Sequence, residues 1–251
     1  MPAMRATEPE FRYRFAFNTG LLLLAFGAYA LDRVNAGAAL LSLLGLRVSV
    51  ASLRALYAAG AVAASMGTAL RAWASAFLSG AVVHDSRIHA DRLVADGPYR
   101  YVRHPLYLAA ALLRLGQVVL ASRSGALLLL VAVPWLQARI IAREEADLSA
   151  ALGAPYLAYR ARVPCYLPAL SPRVPPSGVR PSWREGAFAT LPFGLSALAL
   201  WIFVLTLDWR AFGATTLVAL ALARPLALRE RCRRVARDAD GKAASEPAGR
   251  S

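Results

Sequence analysis

Hydrophobic residues in this chain fall into blocks separated by short polar segments. Apolar runs occupy residues 15–31, 55–77, 106–121, 126–142, 188–207 and 212–226, with arginines or turn-forming residues between them. A helix needs about 20 apolar residues to cross the roughly 30 Å hydrocarbon core of a bilayer, and these runs reach or approach that length. The pattern predicts an all-α, polytopic membrane helical bundle of about six spans. A further apolar stretch, 36–46, is too short to span alone and is followed by Arg47 and Arg54, so 32–54 reads as a connecting, partly interfacial segment. Ser122-Arg123-Ser124-Gly125 between two runs predicts a tight helical hairpin. The second hairpin helix should continue beyond the membrane over 143–152, because Gly153 and Pro155 are the first strong stop signals. A proline-rich stretch, 164–181, then links to the last two runs.

Finer patterning adds expectations for individual helices. Ala59, Gly60, Ala63, Ala64 and Gly67 in the second run predict close helix contact. Arg71 and Trp73 near its end read as a snorkelling cation and an interfacial aromatic. Ala28-Tyr29-Ala30 has the small residues of a signal-peptidase site, yet the run before it is nearly long enough to span, so a retained first helix is expected. The resulting organisation is an N-terminal span with its connecting segment (1–54), a core of three spans with a polar site (55–170), a linker with a C-terminal pair of spans (171–228), and a disordered basic tail (229–251).

Composition agrees with a membrane protein: 58% of residues are hydrophobic and 18% charged. The net charge of +14 does not form a nucleic-acid surface, because the arginines are scattered through the inter-run segments and the tail. The positive-inside rule accounts for them instead, placing both termini, segment 80–105 and segment 143–186 in the cytoplasm. Cys165 and Cys232 supply neither a disulfide framework nor a paired metal motif.

Two polar clusters flank the hairpin on that cytoplasmic side: GPYRYVRHPLY at 97–107, and Arg143, Glu144 and Glu145. If 100–105 turns into a helix, Arg100 and Arg103 lie one turn apart and can grip a carboxylate or phosphate, the plainer reading being contact with lipid headgroups. Glu144 and Glu145 diverge by about 100° on a helix, so one faces a site while the other pairs with arginine or meets solvent. An arginine grip beside a carboxylate suits a zwitterion such as the amino-acid end of S-adenosylmethionine. His84, His89 and His104 share a loop with Asp85 and Asp91, but the spacing is not that of a helical zinc pair and no metal is expected. Arg114 and Gln117 lie inside a span, where a charge must be paired or functional. Arg114 is read either as bonding the Leu130 carbonyl freed by Pro134, or as binding a substrate anion.

With these residues in view, the chain resembles the isoprenylcysteine carboxyl methyltransferase and phospholipid N-methyltransferase superfamily of integral membrane enzymes. The resemblance runs through DGPYRYVRHPLY (96–107) and REEADLSAALGAPYLAYRARVP (143–164), separated by a helical hairpin as in the family, and covers roughly 55–168. It implies a cytosolic S-adenosylmethionine site built from Arg100, Arg103, His104, Glu144 and Glu145, walled by Tyr99, Tyr107, Tyr156 and Tyr159. It also implies a lipid-like acceptor entering from the bilayer, for which Arg114, Gln117 and Arg162 are the candidate contacts. Two positions depart from the family: Cys165 stands where a basic residue is common, and Arg114 where relatives are apolar. Because the methyl sulfonium is already activated, no nucleophilic side chain is required. The expected reaction is carboxyl O-methylation. The alternatives are amine N-methylation of a phospholipid, an NADPH-dependent membrane reductase, which the two glutamates disfavour, and a transporter or structural membrane protein.

Overall fold

Several helices of the bundle, the two longest among them, begin at a side chain that satisfies otherwise unpaired amides. In the computed structural model, which describes residues 5–78 and 93–222, Thr7 and Glu10 form a capping box on α1 (Glu8–Arg12). The loop with His84, Asp85, His89 and Asp91, and the tail with Cys232, lie outside the described residues. Helix α2 (Arg14–Gly27) runs into a 3-10 turn (Ala28–Ala30), and α3 (Ala36–Leu43) is capped by Asn35. Ser49 and Ser52 box the start of α4 (Val50–Phe77). A 3-10 turn (Gly97–Arg100) precedes α5 (Pro105–Val118), and Ser122 caps the 30-residue α6 (Arg123–Leu152). Gly153, at φ 60, ends α6 and starts α7 (Ala154–Arg162), and α8 (Trp183–Thr206) and α9 (Trp209–Leu222) follow. Among the described residues there is no strand.

Helices α4, α6 and α8 are long and apolar enough to cross a membrane, and α5 and α9 are shorter apolar helices. The protein is a helical membrane bundle. The first predicted span, 15–31, gives a helix of only 14 residues. Its end is drawn toward the α5–α6 turn, where the Tyr29 hydroxyl donates to the Leu120 carbonyl (2.6 Å) and Asp32 accepts from the Ser124 amide (3.0 Å).

Helix α4 is the spine, packed against α5 and α8. Its small residues act as expected: a Cβ on Gly67 would stand 2.6 Å from the Ala109 carbonyl oxygen, so only glycine permits this approach of α5. Tyr57, Ala61, Ala64, Leu113, Leu200 and Phe203 form the main core. Helix α2 packs on α6 through Leu22, Ala25, Leu129 and Val133. At the other end of α6, Arg139 and Arg143 pair with Glu10 and Glu8, tying α1 to the bundle.

Two expectations need correction. Arg71 does not snorkel: α8 covers that face of α4, leaving the residue 4% exposed with its guanidinium 4.0 Å from the Phe193 ring centroid. Arg114 does not bond the Leu130 carbonyl; its guanidinium donates to Gln117, one turn along the same helix, so the buried charge is met within α5.

Candidate active site

The hairpin brings its two polar ends together. Pro105 occupies the first turn of α5, where its missing amide costs nothing, and His104 stands just before it with a buried ring. About one turn past the apolar run of α6, Glu145 is 7% exposed. Its Oε1 accepts from Arg103 Nε (2.8 Å), Arg103 Nη2 (2.7 Å) and His104 Nε2 (3.0 Å), and Oε2 faces Arg160 Nε (3.1 Å). A carboxylate can only accept, so His104 carries its proton on Nε2. Burial alone would raise the Glu145 pKa, but hydrogen bonds from His104 and Arg103 and their charge outweigh it and hold the group at about 2.

Glu144 points elsewhere. Its Oε1 accepts from the Tyr107 hydroxyl (2.6 Å), Oε2 lies 3.9 Å from His104 Nδ1, and its side chain keeps 21% of its exposure. The adjacent glutamates therefore divide: Glu145 is saturated by cations, and Glu144 retains an open side.

Arg103 is a strut. Besides Glu145 it donates to the carbonyls of Arg160 (2.9 Å) and Val163 (2.6 Å), while its amide donates to Pro164 (2.8 Å). Arg100 does not join it in an anion grip, because 97–100 is a 3-10 turn rather than the start of α5 and its Nε donates to the Val174 carbonyl (2.9 Å). Tyr99, Tyr156 and Tyr159 form a buried layer behind the cluster, with the Tyr159 hydroxyl on the Tyr99 carbonyl (2.8 Å), and burial pushes all three phenols up. Arg162 is exposed, and Arg114 and Gln117 lie further along α5, apart from the cluster.

The proline-rich stretch does more than link. It folds back as a strap over 96–103: the amides of Ala169 and Arg173 donate to the carbonyls of Tyr101 and Arg100 (both 2.9 Å). Buried Asp96 accepts from the Ser177 amide (2.8 Å), the Ser177 hydroxyl and the Val179 amide (3.1 Å). Against the raising effect of burial, these bonds lower the Asp96 pKa. Between strap and α7 opens a cleft of about 480 Å³ lined by Arg103, Arg160, Arg162, Arg173, Leu167 and Ala169. Sequence reasoning missed Arg160 and Arg173 as site residues. Arg160 could have been found as the residue one turn after Tyr156, whereas Arg173 depends on the path of the strap.

His104, Glu145 and Cys165 each offer one ligand atom, all within 4.8 Å of one another. Both Glu145 oxygens are already engaged by arginine, and a metal ion there would meet that positive charge. The group is better described as an ion-pair network. Burial, reinforced by the Glu145 charge, raises the Cys165 thiol pKa.

Fold and site together define an integral membrane bundle with a buried Arg–His–Glu network at one end, beside an arginine-lined cleft. Residues 59–150 match the isoprenylcysteine carboxyl methyltransferase (ICMT) family, so this segment is similar to that family of membrane methyltransferases. The matched segment holds Arg103, His104, Tyr107 and both glutamates and ends before α7. Neither the curated proteins nor the solved structures gave a match.

Proposed function

We propose that this protein transfers the methyl group of S-adenosylmethionine to the carboxylate of a membrane-resident, lipid-like molecule at the cytoplasmic face. The observation that carries the reading is the closure of the hairpin, which joins Arg103, His104, Tyr107, Glu144 and Glu145 in one network beside a cleft. The donor set fits the zwitterionic end of the cofactor. Glu144 offers a partly open carboxylate to an ammonium, and Arg160, Arg162 and Arg173 offer guanidinium groups to a carboxylate. The volume, about 480 Å³, lies in the range of small-molecule sites.

The cofactor, when bound, supplies a methyl group already activated on sulfonium. The protein's part is placement. Arg103 and Glu145 lock the ends of α5, α6 and α7 against one another, so the groups around the cleft are preorganised. The strap covers the layer behind them and excludes water from it. A carboxylate acceptor needs no proton removed, so this reading asks for no general base. Arg114 lies ten residues beyond His104, about 15 Å along α5, so one carboxylate cannot touch both. Arg162, at the cleft, is the better contact for the reacting group.

The test is transfer of labelled methyl in nanodiscs to a prenylcysteine analogue, a fatty acid or an aminophospholipid. Label on either carboxylate compound, released as methanol by alkali, is expected. Alkali-stable label on the aminophospholipid would replace the carboxylate reading with the amine one.

A further inference from the structure

A second cavity lies at the other end of the bundle. About 620 Å³ in volume, it is lined by Phe26, Tyr29, Tyr57, Phe203, Trp209 and Arg33, near the start of α4. Leu53, also on its wall, precedes Phe77 by 24 residues, or about 36 Å of helix, and the Phe77 ring packs against Gly97 beside the Arg–His–Glu network. The cavity is thus separate from the proposed active site.

Its polar atoms are already used. The Tyr57 hydroxyl donates to Asn35 Oδ1 (3.0 Å), Asn35 Nδ2 donates to the Tyr29 hydroxyl (2.9 Å), and Tyr29 donates to the Leu120 carbonyl (2.6 Å). This relay fixes the floor and leaves aromatic walls. Trp209 is held over Phe203 with ring centroids 4.4 Å apart, because Leu207 turns the chain with φ at 55, a left-handed conformation usually left to glycine. The cavity is therefore built by the fold, with its rings tied in place.

Arg33 is the charged group among the lining residues, and it is exposed. Its neighbour Asp32 does not neutralise it: Asp32 accepts from Arg123 Nη2 (3.3 Å) and the Ser124 amide (3.0 Å). An apolar, aromatic cavity at a membrane edge, with one guanidinium that pairs with no acidic group among the described residues, matches a molecule with a hydrocarbon chain and an anionic head.

We infer that this cavity binds an anionic phospholipid, with an acyl chain among the aromatic rings and the phosphate on Arg33. The site does not depend on methyl transfer. It is tested on the purified, delipidated full-length protein with phosphatidylglycerol or phosphatidylcholine carrying brominated acyl chains, reading quenching of tryptophan fluorescence. Phosphatidylglycerol should quench saturably at about fivefold lower concentration than phosphatidylcholine, the effect of one cation at a lipid surface. Arg33→Gln should abolish that preference, Arg33→Lys should restore it, and Arg210→Gln, which alters a nearby charge that does not line the cavity, should keep it. Trp209→Phe should remove the saturable component. Equal quenching by both lipids in the unaltered protein, equal loss in Arg210→Gln, or saturable quenching that survives Trp209→Phe would each overturn the assignment.

Discussion

Glu145 is the residue on which the site depends, since Arg103, His104 and Arg160 all converge on its carboxylate. Glu145→Gln leaves the largely enclosed Arg103, its side chain 11% exposed, without its counter-ion, and a loss of about 3 kcal/mol is expected, read from denaturation in detergent. The pH dependence has a definite sign. The folded pKa, about 2, lies below the ordinary 4.5, so the contribution of ionised Glu145 is complete above pH 4.5 and is lost as pH falls toward 2. Melting of the unaltered protein should lose this contribution in that acid window, and Glu145→Gln should show a shallower decline there. The pairing of Arg103 and His104 with the glutamates was legible in the sequence, because two polar motifs flank one hairpin. Which glutamate would be saturated was not, since that depends on the rotation of α6 about its axis. Arg71 and Arg114 were misread for a related reason: the sequence records depth along a helix but not which neighbour covers a given face.

At the scale of elements, the hairpin, the extension of α6 and its stop at Gly153 followed from length and turn chemistry. The strap did not. Segment 164–181 has the composition of a linker, and its path is set by backbone hydrogen bonds to Tyr101 and Arg100 and by the buried Asp96 carboxylate, none of which shows in a hydropathy pattern. Asp96→Ala should free this strap. Hydrogen bonds to a charged group are worth about 1.5–3 kcal/mol, so limited proteolysis within 164–181 should quicken while the long helices keep their circular dichroism. Unchanged proteolysis would mean that the contacts to Tyr101 and Arg100 hold the strap without Asp96. The first apolar run, 15–31, is helical over 14–27 with a 3-10 turn over 28–30, and contacts of Tyr29 and Asp32 with the α5–α6 turn fix its end.

At the scale of the whole molecule, α4 holds α5 and α8 together and separates two polar ends of different character. One carries the arginine-lined cleft and the Arg–His–Glu network, and the other the aromatic cavity with a single arginine. The match of 59–150 to the ICMT family supports the chemistry proposed for the first end, and the proposal that S-adenosylmethionine binds there is the central claim. It is tested most directly by calorimetric titration of the purified protein in nanodiscs with S-adenosylmethionine and, separately, with NADPH. The account predicts saturable binding of S-adenosylmethionine alone, weakened about tenfold by Glu144→Gln with little change in melting temperature, because Glu144 contributes a charged contact to the ligand and little to the fold. Absence of saturable S-adenosylmethionine binding, or binding of NADPH in its place, would contradict it.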